Sequence, residues 1–217
     1  MAGLRERKKQ RTRRALIEAA LRLFEEKGYA ETTLAEIAAE AEVSTRTFFS
    51  YFSSKEDLVF YDRDERLERA LALMATRRPE ESPTDVLLRL LDEGIATAVR
   101  HGELTFEEAA LRTRLVMTEP ALQGRALLLL FDSQLKLAKA LRDAFPGEVD
   151  MVDAAAAVGA MFGAVKLAVM ANLDNDRSIE QIWDTARRAG KLALTGLRFL
   201  DGKAASRIRA DQRGMAS

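Results

Sequence analysis

Three helix-start signals fall within residues 33–56, and their spacing leaves room only for short, tightly turned helices. Thr33-Leu-Ala-Glu36 reads as a capping box, in which the Thr hydroxyl accepts from a backbone N–H three residues on while Glu36 reaches back to the cap. It opens a short helix that buries Leu34, Ile37 and Ala38 and ends after Glu40. Ser44 then caps a second short helix, Thr45 to Tyr51, and Ser53-Ser-Lys-Glu56 is a further box opening a longer fourth helix toward Met74. Upstream, Thr12 is the expected cap of a first helix whose Leu16, Ile17, Ala20, Leu21 and Phe24 share one face before Gly28 ends the pattern. Residues 12–52 thus hold three helices, the last two separated by a short turn.

The rest of the chain is expected to be helical as well, giving an all-α protein. Two prolines within Arg77–Pro83 break the fourth helix, and apolar periodicity places further helices at about 84–101, 105–118, 121–145, 150–173 and 178–200. Cysteine is absent and His101 is the sole histidine, so thiolate sites, zinc sites and paired Glu-x-x-His di-iron sites lack their ligands. Gly-rich phosphate loops and Gly-x-Ser-x-Gly elbows are absent too, which leaves a helical-bundle enzyme as a remote alternative and implies no metal and no cofactor. His101 itself reads as a helix-end or surface group. The apolar run Ala154–Ala171 is interrupted by Lys166 and rich in Ala and Gly, and no secretory leader is visible, so the expected setting is the cytoplasm with no membrane partner.

Basic and acidic residues balance at 34 each, which argues against a general polyanion binder, but the balance is not local. Arg5, Arg7, Lys8, Lys9, Arg11, Arg13 and Arg14 stand against Glu6 alone within residues 1–14. A basic arm ahead of two short helices joined by a tight turn is the arrangement of a helix-turn-helix reader of double-stranded DNA. The second short helix would enter the major groove with Thr45, Arg46, Thr47 and Ser50 near the bases, Arg46 being able to bond guanine O6 and N7 together, and with the Phe49 ring against a sugar or a thymine methyl. Arg13, Thr33, Ser44, Tyr51 and Lys55 would grip phosphates.

The stretch from Thr32 to Leu58, with Ala19–Phe24 and Gly28-Tyr29 before it, resembles the N-terminal domain of TetR-type transcriptional regulators. That resemblance implies a core role for Phe52, a phosphate contact for Lys55 and base reading at positions 45–47. It also implies a homodimer on a palindromic operator. Two positions depart from the family pattern: Glu42 stands where the turn usually has Gly, and Phe49 where many relatives place a Tyr that reaches phosphate.

The expected organisation is a basic arm at 1–11, the helix-turn-helix domain at 12–55, a helical bundle for ligand binding and dimerisation at 56–202, and a flexible tail at 203–217. Phe106, Met117, Phe131, Gln134, Met161, Phe162 and Val165 are pocket candidates, since Phe and Met adapt to apolar ligands, although plain core packing is the simpler reading of each. Arg112, Arg114 and Lys166 read as snorkelling cations, with an anionic ligand group as the alternative partner. Small residues on the last two helices suggest a two-fold four-helix contact through Ala157, Gly159, Ala160, Gly163, Ala186, Gly190 and Ala193, with Trp183 and Leu197 beside them. The function expected is a homodimeric repressor released from DNA by a small, largely apolar effector; a DNA-binding regulator with no ligand response is the alternative.

Overall fold

The computed structural model describes residues 3–100, 106–172 and 179–196, and among them the chain is helical throughout. The N-terminal helices are α1 (Gly3–Lys27), α2 (Leu34–Glu40), α3 (Thr45–Phe48), α4 (Glu56–Val59) and α5 (Arg63–Ala75). They are followed by α6 (Pro83–Arg100), α7 (Phe106–Thr118), α8 (Pro120–Ala144), α9 (Met151–Met170) and α10 (Ile179–Gly196). Local signals mark the ends of these helices. Gly28 takes φ 91 after α1, Pro83 and Pro120 each open a helix, and Asp150 caps α9 by accepting from the backbone N–H groups of Val152 and Asp153.

The chain divides into two compact units, 1–64 with 105–127, and 65–104 with 128–217. The first has a continuous apolar core in which Leu16, Ile17, Ala20 and Phe24 of α1 meet Ile37, Phe48, Leu58, Leu111, Leu115 and Leu122. Each large side chain buried there contributes about 1.5–3 kcal/mol relative to exposure. The division differs from the expected single boundary after residue 55, because Leu111 and Leu115 turn α7 into part of the N-terminal core. The second unit is organised around Leu67, Met74, Leu87, Leu141, Phe145, Val158, Met161 and Leu194.

Two local expectations are corrected. The basic arm is not a segment separate from the first helix: α1 begins at Gly3, so Thr12 lies inside a helix and the cations project from its first turns. The fourth helix is interrupted between Val59 and Arg63, and its start lacks the expected box. Asp57 rather than Glu56 accepts from the Ser53 N–H, at 3.0 Å, and Lys55 occupies the cap position without a side-chain capping bond. The interruption has a physical cause. Arg112 Nε donates to the Val59 carbonyl at 2.6 Å and Arg13 Nη2 donates to the Tyr61 carbonyl, so two acceptors that a continuous helix would use internally are taken by guanidinium groups.

Candidate nucleic-acid interface

The two short helices are held at their starts by the side chains the sequence nominated. Thr33 Oγ1 accepts from Glu36 N at 3.3 Å and the Glu36 carboxylate accepts from Thr33 N at 2.9 Å. Lys27 pairs with the same carboxylate, and together with the Thr33 hydroxyl and N–H it holds Glu36 well below the usual carboxylate range, at about 2. At the next helix Ser44 Oγ accepts from Thr47 N at 3.1 Å and lies 2.9 Å from Thr47 Oγ1. Between them Glu42 adopts φ 54, the left-handed conformation that Gly tolerates best. The turn therefore keeps its geometry with the less suited residue.

From this frame Thr45, Arg46 and Phe49 project outward. Arg46 is exposed, and among the described residues its guanidinium makes no hydrogen bond or ion pair. Phe49 is 56% exposed, whereas Phe48 behind it is fully buried. The Ser50 hydroxyl donates back to the Arg46 carbonyl at 3.3 Å, and Tyr51 packs partly into the core. Below them, Phe52 is buried as the family resemblance implied.

Several expected phosphate contacts are committed elsewhere. Lys55 Nζ donates to the carbonyls of Tyr29 at 2.6 Å and Thr32 at 3.0 Å, and lies 4.2 Å from the centre of the Tyr29 ring, so it ties the loop after α1 to the start of α4. Arg13 binds the Tyr61 carbonyl and faces the rings of Phe52 and Tyr61 at 5.7 Å. The Thr33 hydroxyl is engaged by Glu36, whose charge already sits at the start of α2. Within the chain these three side chains position the helices around the reading face. Lys8, Lys9 and Arg11 on α1 are exposed as further outward cations. Sequence reasoning had counted them only as bulk charge, and their helical placement follows from the absence of any breaker before Gly28.

Residues 16–61 match the family model TetR_N, described as bacterial regulatory proteins, tetR family. This segment is similar to the N-terminal domain of TetR-family regulators. The regulator TcmR of Streptomyces glaucescens is 38% identical over 128 residues, which cover 58% of this chain and 56% of that protein, so the match spans little more than half of the relative. A TetR-family regulator from Mesorhizobium loti has the same fold, with a TM-score of 0.56 at 19% identity over 86% of this chain and 96% of its own. So does Thermus thermophilus FadR, a repressor solved with lauroyl-CoA, with a TM-score of 0.51 at 20% identity over 84% of this chain and 93% of its own. These relatives are transcriptional regulators rather than enzymes.

The nominated pocket residues differ in burial. Met117 is half-exposed in the first unit, Phe131 is 59% exposed on α8, and Met161 is fully buried in the core of the second unit. Gln134, Phe162 and Val165 are partly buried, and the Phe106 side chain lies outside the described residues. Open grooves are lined by other groups: Ser53, Ser54, Glu56, Asp57, Ala121 and Arg125 border one, and Leu71, Met74, Arg77 and Asp143 another. Arg112, read as a snorkelling cation, is instead buried against Asp62, while Arg114 and Lys166 are exposed.

Of the small residues on the last helices, Ala157, Ala186 and Gly190 are buried inside the chain, where α9 packs on α10. Their size serves this internal approach, because a Cβ at Gly190 would overlap Leu91 Cδ2 and touch Val165 Cγ2 at 3.4 Å. Gly159, Ala160 and Gly163 lie on another face of α9, where Val152 and Leu167 are 76% and 67% exposed and neither glycine has a neighbour within 4 Å of an added Cβ. Ala193 and Trp183 are partly buried, and Leu197, His101 and the tail lie outside the described residues. By length and composition α9 could cross a membrane, with a mean hydropathy of 1.6, but Ala154, Ala157, Val158 and Met161 belong to the core of the second unit.

Proposed function

We propose that this chain is a homodimeric, cytoplasmic DNA-binding repressor that reads a palindromic operator and is released from it by a small, largely apolar ligand. The observation that carries DNA reading is the α3 face: an exposed Arg46 with no internal partner among the described residues, beside Thr45 and Phe49, on a helix whose start is fixed by Ser44. Such a face suits base edges in the major groove, and the cations of α1 suit phosphates. Homodimerisation is supported by the open small-residue face of α9, which offers close approach to a second copy. For the ligand, Leu128, Phe131 and Leu135 of α8 provide uncovered apolar surface in the second unit, and Gln134, Phe162 and Val165 remain candidates there. The lauroyl-CoA complex of Thermus thermophilus FadR lends precedent for an acyl ligand in this fold.

Selection of bound duplexes from a random library at about 150 mM salt tests the reading, because non-specific charge attraction is already weak there. Enrichment of a palindrome supports a dimeric reader, and no enrichment overturns it. With the operator in hand, ligand release must be reciprocal: DNA weakens effector binding by the factor by which effector weakens DNA binding. Acyl-CoA thioesters that neither bind nor release the complex would favour a regulator with no response to that ligand class.

A further inference from the structure

We infer that Phe49 reads the 5-methyl group of a thymine in each operator half-site, an assignment that rests on the DNA-reading function proposed above. Phe49 is a large apolar ring left 56% exposed on the same outward face as Thr45 and Arg46. It is not a loose surface group. Its ring stands edge-on to Phe48, with centroids 5.5 Å apart and planes at 87°, and Phe48 is fully buried and lies 5.9 Å from Phe52. A ring supported in this way loses little freedom when a partner docks, so its contact energy is largely retained.

The chemistry narrows the partner. Phe49 has no hydroxyl and cannot bond a phosphate, while the major groove displays one apolar group on its base edges, the thymine methyl. Neighbouring polar groups do not compete for that position, since the Ser50 hydroxyl is turned back to the Arg46 carbonyl and the Ser44 and Thr47 hydroxyls face each other. Three residues of helix separate Phe49 from Arg46, a rise of about 4.5 Å. Base pairs step by about 3.4 Å, which places the thymine one or two steps from the guanine that Arg46 would bond.

Replacing thymine by deoxyuridine deletes the methyl and leaves every hydrogen-bonding group and phosphate in place. In the operator selected by the wild-type chain, each thymine is replaced singly by deoxyuridine, and binding is measured for wild type, Phe49→Tyr and Phe49→Ala. Wild type and Phe49→Tyr should each lose about fourfold at one thymine per half-site, the equivalent of one buried methyl at ~0.8 kcal/mol. Phe49→Ala should bind more weakly to the thymine operator and be insensitive to deoxyuridine there. Circular dichroism should show it folded, because the ring lies outside the core. Deoxyuridine sensitivity that persists in Phe49→Ala, or its absence in the wild type, overturns the assignment while leaving the DNA reader intact. Failure of the wild type to select any operator overturns the DNA reader itself.

Discussion

Arg112 closes on Asp62 through two hydrogen bonds, Nη2 to Oδ1 at 2.7 Å and Nη1 to Oδ2 at 3.4 Å, with both side chains almost dry. The same guanidinium lies 4.8 Å from the centre of the Tyr61 ring and caps the Val59 carbonyl. One residue of α7 thus neutralises a buried charge and satisfies the end of α4. Arg112→Met should cost about 3–5 kcal/mol, because it removes one partner of a buried ion pair. Arg112→Met with Asp62→Leu should recover part of that loss, the Val59 carbonyl remaining unmet. Urea unfolding of the wild type and the variants measures both, and a double variant no more stable than the single would show that the Asp62 charge is not the source of the cost.

The turn at Glu42 makes a prediction of opposite sign. At φ 54 a side chain with a Cβ is strained by about 1–2 kcal/mol, of which the greater freedom of Gly in the unfolded chain cancels part. Glu42→Gly should therefore stabilise the protein by about 0.5–1 kcal/mol. It also removes an exposed negative charge beside the reading helix, so affinity for selected and random duplexes should rise together. A lower urea midpoint in Glu42→Gly would contradict the strain argument.

Legibility in the sequence followed the range of the interactions. Thr33, Glu36 and Ser44 act within four residues of themselves, so their caps were readable from spacing alone, as were Gly28 and Pro83. Arg112 was not readable in this way. Its partners are 50 and 53 residues away, and nothing in an Arg flanked by Leu and Thr distinguishes a buried ion pair from a snorkelling cation. The internal bonds of Lys55 and Arg13 are hidden for the same reason, since their acceptors are backbone carbonyls that become available only where α1 and α4 end. The pocket candidates are hard to read for another reason: Phe and Met at helical spacing carry the same pattern whether they line a cavity, fill a core as Met161 does, or face outward as Phe131 does.

Base reading and phosphate attraction separate in the behaviour of Arg46 and Lys9. Arg46→Ala should reduce the preference for the selected operator over random duplex by about 1–3 kcal/mol. Lys9→Ala should weaken both duplexes equally and lower the slope of log K against log salt by about one. Competition binding at several salt concentrations distinguishes the two, and equal losses on both duplexes for Arg46→Ala would remove it from base reading.

Acid tests the start of α2. Because Glu36 titrates at about 2 in the folded chain, below its ordinary value, its ionised form is favoured by folding. The contribution is fully present above the ordinary Glu range and declines as pH falls from there toward about 2. Glu36→Gln still reaches the cap but carries no titrating proton, so its urea midpoint should fall less than that of the wild type across this window. A side-chain carboxyl resonance of Glu36 with its midpoint in the ordinary range would refute the paired geometry with Lys27 and Thr33.

The glycines of α9 and α10 separate packing within the chain from association between chains. At Gly190 an added methyl overlaps Leu91 and meets Val165, so Gly190→Ala forces a shift costing about 1–3 kcal/mol against a gain in helix propensity of about 1 kcal/mol. Its net effect should be a modest loss of stability without a specific change in association. At Gly159 and Gly163 no atom lies within 4 Å of the added methyl, so each chain alone should gain about 0.8–1 kcal/mol from Ala. If this face of α9 meets its copy across a two-fold axis, the methyls wedge the helices apart. Gly159→Ala with Gly163→Ala should then dissociate at higher protein concentration in sedimentation equilibrium while its helices melt no earlier. An unchanged dissociation constant would move the two-fold contact to another surface.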